Sequence, residues 1–256
     1  MNGIADAIRQ PRGSRPAIVA YLTAGYPRRE GFLANLAAIA AAADVVEIGV
    51  PFSDPMADGP TIQRSSRVAL AQGVSLSWLL AELAAARGGF AAPLLLMSYM
   101  NPLLAFGIEA LPRAARFAGI GGFIVPDLPL EECGGLRGAL AREGIALVQF
   151  VAPTTPPARA AKLCAASEGF VYALTMTGIT GQDAGLPRRM LDDLARLRRL
   201  ASVPVCAGFG IRSAAQVARL APHVDGVIVG SALVEALERG EDAATWIAGL
   251  RGRRTD

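Results

Sequence analysis

The chain of 256 residues contains almost no lysine or histidine: Lys162 and His223 are its only examples. Lys162 lies in an Ala- and Leu-rich helical pattern, where a lysine extends its ammonium group to solvent, which argues against Schiff-base catalysis. A single histidine excludes a His-rich metal site and argues against a Ser-His-Asp triad. Any acid/base chemistry must therefore rest on carboxylates, hydroxyls and backbone groups, with no metal site expected.

Cysteine is also scarce, with Cys133, Cys164 and Cys206 odd in number and widely spaced. This usage argues against a disulfide framework and against a cysteine-based metal site, and it indicates a reducing compartment. Residues 1–16 lack the apolar stretch of a signal peptide. The uncharged stretch 88–108 contains two prolines, which break it into a strand and a loop. We expect a cytoplasmic protein.

The charge is nearly balanced, with 25 basic and 22 acidic residues and a net charge of +3. The arginines are interleaved with acids, as in 188–199, a pattern typical of solvated helix faces rather than of a tract that binds a phosphate backbone. The C-terminal arginines, Arg251, Arg253 and Arg254, are most simply a solvated tail. Nothing here indicates nucleic-acid binding.

A repeated unit runs through the chain: a short β-branched run, a loop of Gly, Pro or Asp, and an Ala/Leu/Arg helical pattern. A length of 256 residues and a hydrophobic content of 52% suit one (β/α)8 barrel domain over residues 1–256. The predicted strands are 17–23, 44–50, 93–99, 122–126, 146–151, 169–175, 203–207 and 226–229.

Helical patterns separate these strands, with extra helices expected at the N-terminus and in loops. The predicted helices are 31–43, 75–87, 108–118, 131–142, 157–167, 188–200 and 213–220, with an extra short helix at 61–71. The loop 176–187 is rich in Gly and Thr and could close as a lid. In a parallel barrel these loops share the C-terminal face, where active sites are built.

Glu47 is a carboxylate inside the apolar run 44–50, where an ionised side chain is costly. Strand alternation predicts that Val45, Glu47 and Gly49 face the barrel interior. The alternative is a structural acid paired with an arginine, but no strand carries a barrel-facing arginine. The pattern favours a general acid or base.

Asp54 and Asp58 lie in the loop 51–60 that follows this strand. Asp before Pro or Gly is ordinary turn chemistry, so each could be a turn residue only. A catalytic role is better supported for Asp58, because its loop follows the strand of Glu47. Two carboxylates in different surroundings suit general acid/base catalysis.

Glycine-rich loops follow the seventh and eighth predicted strands, Ala-Gly-Phe-Gly-Ile at 207–211 and Val-Gly-Ser at 229–231. Glycines there allow backbone N–H groups to approach an anion at a helix N-terminus, and these loops are the usual phosphate site of the barrel. A Rossmann site is disfavoured because the third glycine is absent. Structural glycines without a ligand are the alternative.

The run Glu-Ile-Gly-Val-Pro-Phe-Ser-Asp-Pro-Met-Ala-Asp-Gly-Pro-Thr-Ile-Gln, 47–63, closely resembles the signature of the tryptophan synthase alpha chain family. Further matching motifs lie in order at 21–27, 97–102, 125–129, 177–181 and 207–211. The resemblance implies a (β/α)8 barrel that cleaves indole-3-glycerol phosphate to indole and glyceraldehyde 3-phosphate without a cofactor. It also implies a partner, the tryptophan synthase beta chain, in an α2β2 assembly in which only the beta chain holds pyridoxal phosphate.

The resemblance also implies site residues. Glu47 would be the acid/base, and Asp58 would bind the indole N–H and stabilise its developing positive charge. For the remaining substrate contacts the matching positions are Tyr21, Tyr99, Tyr172 and the lid residue Thr180, although core packing is the alternative for the aromatics. The phosphate would be bound by Gly181, Gly208, Phe209, Gly210, Gly230 and Ser231.

The candidate contact surface for the partner is an apolar, Pro-rich rim that includes Pro51, Asp54, Met56 and Asn101. Such residues are also common in ordinary loops. Three other functions remain open at this point: a stand-alone lyase, a different phosphate-binding barrel isomerase, and a subunit kept mainly as an allosteric partner.

Overall fold

The structure, a computed structural model, describes residues 3–12, 16–86, 89–175, 187–208 and 210–251. Eight parallel strands form a closed barrel in sequence order. The strands are β1 (Ala17–Thr23), β2 (Val45–Gly49), β3 (Leu94–Met97), β4 (Ile120–Ile124), β5 (Ala146–Val151), β6 (Val171–Leu174), β7 (Val205–Gly208) and β8 (Gly226–Val229). The (β/α)8 fold predicted from the sequence is confirmed, with each strand within a few residues of its predicted position.

The helices described surround this barrel. They are α1 (Gly3–Arg9), α2 (Phe32–Ala42), α3 (Pro60–Ala71), α4 (Leu76–Ala85), α5 (Met100–Phe106), α6 (Leu111–Phe117), α7 (Gly134–Arg142), α8 (Pro157–Ala166), α9 (Arg188–Leu200), α10 (Ala214–Leu220), α11 (Ser231–Glu238) and α12 (Ala243–Leu250). A 3₁₀ turn, Arg29–Gly31, precedes α2. No single helix among them is long and apolar enough to span a membrane. Helices α3 and α4 are long and apolar enough only as a pair, and the pair is bent by 80°.

One predicted loop is a helix. The sequence predicts a strand followed by a loop across 88–108, yet α5 begins at Met100 and includes Pro102. Proline is tolerated in the first turn of a helix because the N–H groups there have no partner within the helix. The prediction of a loop was therefore wrong for these residues.

Side-chain alternation divides the apolar residues into an outer and an inner cluster. Val46 and Ile48 of β2 pack in the outer cluster between sheet and helices, whereas Val45 packs inside the barrel. The predicted orientation of this strand is confirmed. Helix α1 closes the N-terminal end of the barrel, where Ile4 and Ile8 are buried in the inner cluster. The opposite end is left for the loops that follow the strands.

The C-terminal arginines are not all a solvated tail. Arg251 is largely buried and donates a hydrogen bond of 2.8 Å to the Asp44 carboxylate, which also accepts from the backbone N–H groups of Arg12 and Ile18. A buried carboxylate needs such partners, so this pair ties the end of α12 to the start of β2. Arg253 and Arg254 lie outside the described residues.

Candidate active site

A cavity of about 510 Å³ opens at the C-terminal ends of the strands. Its volume lies within the range of about 300–1,000 Å³ that is usual for small-molecule sites. Both predicted carboxylates, Glu47 and Asp58, line it. The other described lining residues are Tyr21, Ala57, Gly59, Ile62, Met97, Pro126, Phe150, Tyr172, Leu174, Gly210, Ile211, Arg212, Ile228, Gly230, Ser231 and Ala232.

Glu47 is held near the middle of the barrel by its strand. It is 3% exposed, and its Oε2 atom has no hydrogen-bond partner. Burial, together with the negative charge of Asp58, raises the pKa of Glu47 to about 8. A structural acid would be paired with a cation, and Glu47 takes part in none of the ion pairs of the described residues. A carboxyl that is protonated near neutral pH and faces a cavity can transfer a proton.

Asp58 lies on the loop between β2 and α3. Its Oδ2 atom accepts a hydrogen bond of 3.0 Å from the Tyr99 hydroxyl, which in turn accepts from the backbone N–H of Ala57 at 2.9 Å. Burial raises the pKa of Asp58 to about 6, while the hydrogen bond from Tyr99 opposes that rise. The two carboxyl groups therefore have different protonation states near pH 7.

Tyr99 does not line the cavity among the described residues, unlike Tyr21 and Tyr172. Its side chain is 2% exposed, lies behind Asp58 and packs against Phe52 with ring centroids 5.3 Å apart. The Tyr99 hydroxyl is hydrogen-bonded to the Asp58 carboxylate, and its predicted contact with substrate stays a prediction. The sequence could not show this, because the bond joins residues 41 positions apart.

Tyr172 and Phe150 form an aromatic wall of the cavity, with ring centroids 4.7 Å apart. The Tyr172 ring lies over Gly208, where a Cβ atom would be only 2.5 Å from the ring. Gly208 is not among the described lining residues, and this close packing is a structural reason for glycine there; its predicted phosphate contact stays a prediction. Gly210 does line the cavity, with a φ of 74° that favours glycine.

Tyr21 occupies the corresponding place on the other side of Glu47. Its hydroxyl is 3.3 Å from that of Thr23, which is 2.6 Å from that of Ser65 on α3. The ring lies over Gly49, where a Cβ atom would be 2.0 Å from the hydroxyl oxygen. Glycine at position 49 therefore makes room for Tyr21 beside Glu47.

We expect Gly49→Ala to destabilise the protein by about 1–3 kcal/mol, the usual cost of overpacking a filled interior. The measurement is the urea midpoint. Gly31→Ala is the matched control, because no heavy atom outside the local backbone and the two chain neighbours lies within 4 Å of the added carbon there. Adding Tyr21→Leu to Gly49→Ala removes the clashing ring and should recover part of the loss. An unchanged midpoint for Gly49→Ala would show that the ring moves aside without cost.

The cavity's other end is formed by the loops after β7 and β8. Gly210, Gly230 and Ser231 lie there, and Ser231 is the first residue of α11. Backbone N–H groups at a helix start favour an anion. Of the other predicted phosphate residues, Gly181 and Phe209 lie outside the described residues, as do Thr180 and residues 176–186 of the predicted lid.

Sequence reasoning missed Arg212, which lines the same end and donates to both Glu235 carboxylate oxygens, at 2.7 and 2.9 Å. Its position directly after the glycine-rich loop was the available signal. Elsewhere, no group of three or more His, Cys, Asp or Glu that could hold a metal occurs in the part of the chain that the structure describes. Lys162 is exposed on α8, and the three cysteines are buried and free.

The fold and the site define a class of protein. It is a (β/α)8-barrel enzyme in which two carboxylates line one cavity above the C-terminal ends of the strands. The model of the tryptophan synthase alpha chain family matches residues 8–250. The tryptophan synthase alpha chain of Nitratidesulfovibrio vulgaris Hildenborough is 45% identical over 234 residues, 91% of each chain. The chain belongs to the tryptophan synthase alpha chain family, the lyase subunits that cleave indole-3-glycerol phosphate.

Solved structures agree with this assignment. A chain of tryptophan synthase from M. tuberculosis superposes with a TM-score of 0.84 at 35% identity, over 96% of this chain and 94% of that one. A chain of the tryptophan synthase α2β2 complex from Pyrococcus furiosus gives a TM-score of 0.86 at 34% identity, over 93% and 98%. Both likenesses extend over almost the whole barrel.

Proposed function

We propose that Glu47 is the general acid and base of indole-3-glycerol phosphate cleavage, and that Asp58 binds the indole N–H. Glu47 first gives its proton to indole C3, and Asp58 stabilises the positive charge that develops on the ring nitrogen. The carboxylate of Glu47 then accepts the proton of the adjacent glycerol hydroxyl. The bond between C3 and the glycerol carbon breaks, its electron pair returns to the ring, and indole and glyceraldehyde 3-phosphate leave.

The observation that carries this proposal is the contrast between the two carboxyl groups. Burial and the negative charge of Asp58 raise the pKa of Glu47 to about 8, whereas burial raises the pKa of Asp58 to about 6 against the opposing hydrogen bond from Tyr99. Near pH 7 one group can donate a proton while the other carries negative charge. A retro-aldol step of this kind requires no lysine, because the protonated indole is itself the electron sink.

The substrate lies along the cavity in this proposal. Phe150, Tyr21 and Tyr172 contact the indole ring, and Tyr99 holds Asp58 in place. Gly210, Gly230 and Ser231 bind the phosphate with backbone N–H groups at the other end. The resemblance of their motifs assigns Thr180 to the substrate contacts and Gly181, Gly208 and Phe209 to the phosphate contacts as well.

We assign no cofactor to this chain. A pyridoxal phosphate would need a lysine for its Schiff base, and Lys162, the only lysine, is exposed on α8 and does not line the cavity. The cofactor of the complete enzyme belongs to the partner beta chain. The three free cysteines suit a reducing compartment, and we place the protein in the cytoplasm.

The partner is the tryptophan synthase beta chain in an α2β2 assembly, as in the relative from Pyrococcus furiosus. The rim beside the cavity offers exposed side chains for this contact: Asp54, Asn101 and Met56, which is 84% exposed. Pro51, also expected in the rim, is buried. Leu104 on α5, 56% exposed, extends the apolar part of the rim.

Indole release from indole-3-glycerol phosphate by the full chain, with and without a beta chain, tests this function. Release by the chain alone indicates a competent lyase. Release only with the partner indicates a subunit that the partner activates. Background rates in both cases, with a normally folded chain, would contradict the function and favour a purely allosteric role.

We expect kcat/KM to follow a bell-shaped dependence on pH. Activity falls as pH rises through about 8, because Glu47 loses the proton that it must donate. It also falls as pH drops through about 6, because protonated Asp58 no longer stabilises positive charge. Since kcat/KM reports the groups of the free enzyme and free substrate, the measurement is the profile at low substrate concentration.

The variant Tyr99→Phe shows whether the acid limb reports the titration of Asp58 or that of the substrate phosphate, whose pKa is also near 6. Loss of the Tyr99 hydrogen bond raises the pKa of Asp58, so the acid limb should move to higher pH while the alkaline limb stays. An acid limb that does not move would assign it to the phosphate instead.

A further inference from the structure

Arg212 is the only positively charged residue among the described residues that line the cavity. The Asp58 carboxylate, which is ionised near pH 7, lines the same cavity, and a bound phosphate adds further negative charge. Like charges in one enclosed space oppose each other. A cation at the phosphate end would offset this repulsion.

The backbone of Arg212 is held by the start of α10. Its N–H donates to the Gln216 side chain at 2.7 Å, and Gln216 forms a capping box with Ser213. Because Arg212 is separated from Gly210 by one residue, this cap fixes the arginine beside the phosphate loop.

The guanidinium of Arg212 is held by Glu235, one turn after Ser231 on α11. The contacts run from Nη1 and Nη2 to the two carboxylate oxygens, at 2.7 and 2.9 Å. Glu235 also accepts from the Thr61 hydroxyl on α3 at 2.9 Å. Glu235 thus connects the arginine, the phosphate-binding helix and the helix that follows Asp58.

This geometry leaves donors available. A guanidinium has five N–H groups, and Glu235 occupies two of those of Arg212. The arginine side chain keeps 54% of its surface exposed, against 24% for that of Glu235. Arginine matches phosphate oxygens through its planar set of donors.

We infer that Arg212 is a further substrate-binding residue that donates hydrogen bonds to the phosphate of indole-3-glycerol phosphate, with Glu235 as its positioning residue. The inference rests on the proposed phosphate end of the cavity. It adds side-chain recognition to the backbone N–H groups of Gly210, Gly230 and Ser231.

The test is steady-state kinetics of the full chain carrying Arg212→Gln. We expect the KM for indole-3-glycerol phosphate to rise about tenfold, the scale of one lost hydrogen bond between charged groups. We expect kcat to stay within about twofold, because the acid pair is untouched. The inhibition constant of inorganic phosphate should rise about tenfold as well, and that of indole, which has no phosphate, should not change. Arg212→Lys should recover part of the KM, since it restores charge without the planar donor set.

A double-mutant cycle tests the positioning by Glu235. Glu235→Gln should raise KM about threefold in the wild-type background and leave it unchanged in the Arg212→Gln background. A merely structural role of Glu235 would raise KM in both backgrounds, and that result would overturn the positioning.

Arg64→Gln is the matched control. Arg64 makes the same kind of two-point ion pair, with both contacts to Glu238 at 2.8 Å, but it does not line the cavity. Its KM should remain within about twofold of wild type. Wild-type KM and phosphate inhibition in Arg212→Gln, in a chain that cleaves substrate, would overturn the inference and leave the proposed function standing. A wild type that neither cleaves substrate nor responds to phosphate would overturn both.

Discussion

Glu47→Gln should lower the kcat of indole release at least about a hundredfold, the usual effect of losing a general acid/base. Glutamine has nearly the same shape, so the cavity keeps its lining, but it can neither give a proton to indole C3 nor accept one. Because both steps use the same side chain, the loss should persist across the whole pH range. The measurement is single-turnover and steady-state release of indole, with and without a beta chain. Turnover equal to wild type would exclude Glu47 as the acid/base.

The thermal stability of Glu47→Gln shows whether its lost activity comes from the missing proton donor or from a failure to fold. The folded pKa of Glu47, about 8, is higher than its ordinary value of 4.5, so the folded state holds this proton more tightly than the unfolded state does. This group's contribution to stability therefore falls as pH rises from about 4.5 to about 8. Glutamine has no proton to lose, so the variant lacks this pH dependence of stability. The Tm of the variant minus the Tm of the wild type should therefore increase as pH rises through this range. A variant that is less stable at every pH, with no such trend, would contradict the raised pKa.

Asp58→Asn should lower kcat at least about a hundredfold by a different route. The carboxylate stabilises positive charge on the indole nitrogen in the transition state, and a neutral amide does not. Removal of one such group commonly costs a factor of about 100–1,000. Loss of the charge also lowers the pKa of Glu47, because Asp58 contributes to its rise. The alkaline limb of the residual activity should therefore shift to lower pH.

Asp192→Asn serves as the control for Asp58→Asn. Asp192 is exposed on α9 and does not line the cavity, so its variant should keep wild-type kcat and both pH limbs. An Asp58→Asn enzyme with full turnover would show that Asp58 only shapes its loop. A loss of turnover with an unmoved alkaline limb would show that the two carboxyl groups do not interact as the structure indicates.

The barrel could be predicted because its pattern is local. Each strand combines a short apolar run with a following loop of Gly, Pro or Asp, and the alternation in β2 correctly oriented Glu47. Helix α5 was missed because its proline suggests a break unless its position in the first turn is known. Arg251 was misjudged because its partner, Asp44, lies 207 positions earlier in the chain.

The candidate site could be predicted only in part. Glu47 and Asp58 stand out in the sequence because their strand and loop make them chemically unusual. The hydrogen bonds of Tyr99 to Asp58 and of Arg212 to Glu235 leave no local pattern in the sequence, since each bond joins separate elements at the barrel's C-terminal face. Gly208 shows the same limit, because its need to be glycine comes from the ring of Tyr172 on the neighbouring strand.

The amino-acid sequence by itself determined the (β/α)8 class, the inward position of Glu47, the loop of Asp58 and the presence of a single lysine, Lys162. These features depend on residue type and on periodicity along the chain, which a sequence displays directly. Only the tertiary structure decided which groups meet: the unpartnered oxygen of Glu47, the different pKa values of the two acids, and a cation at the cavity's far end. Burial and electrostatic interaction depend on distances between distant segments, and folding alone sets those distances.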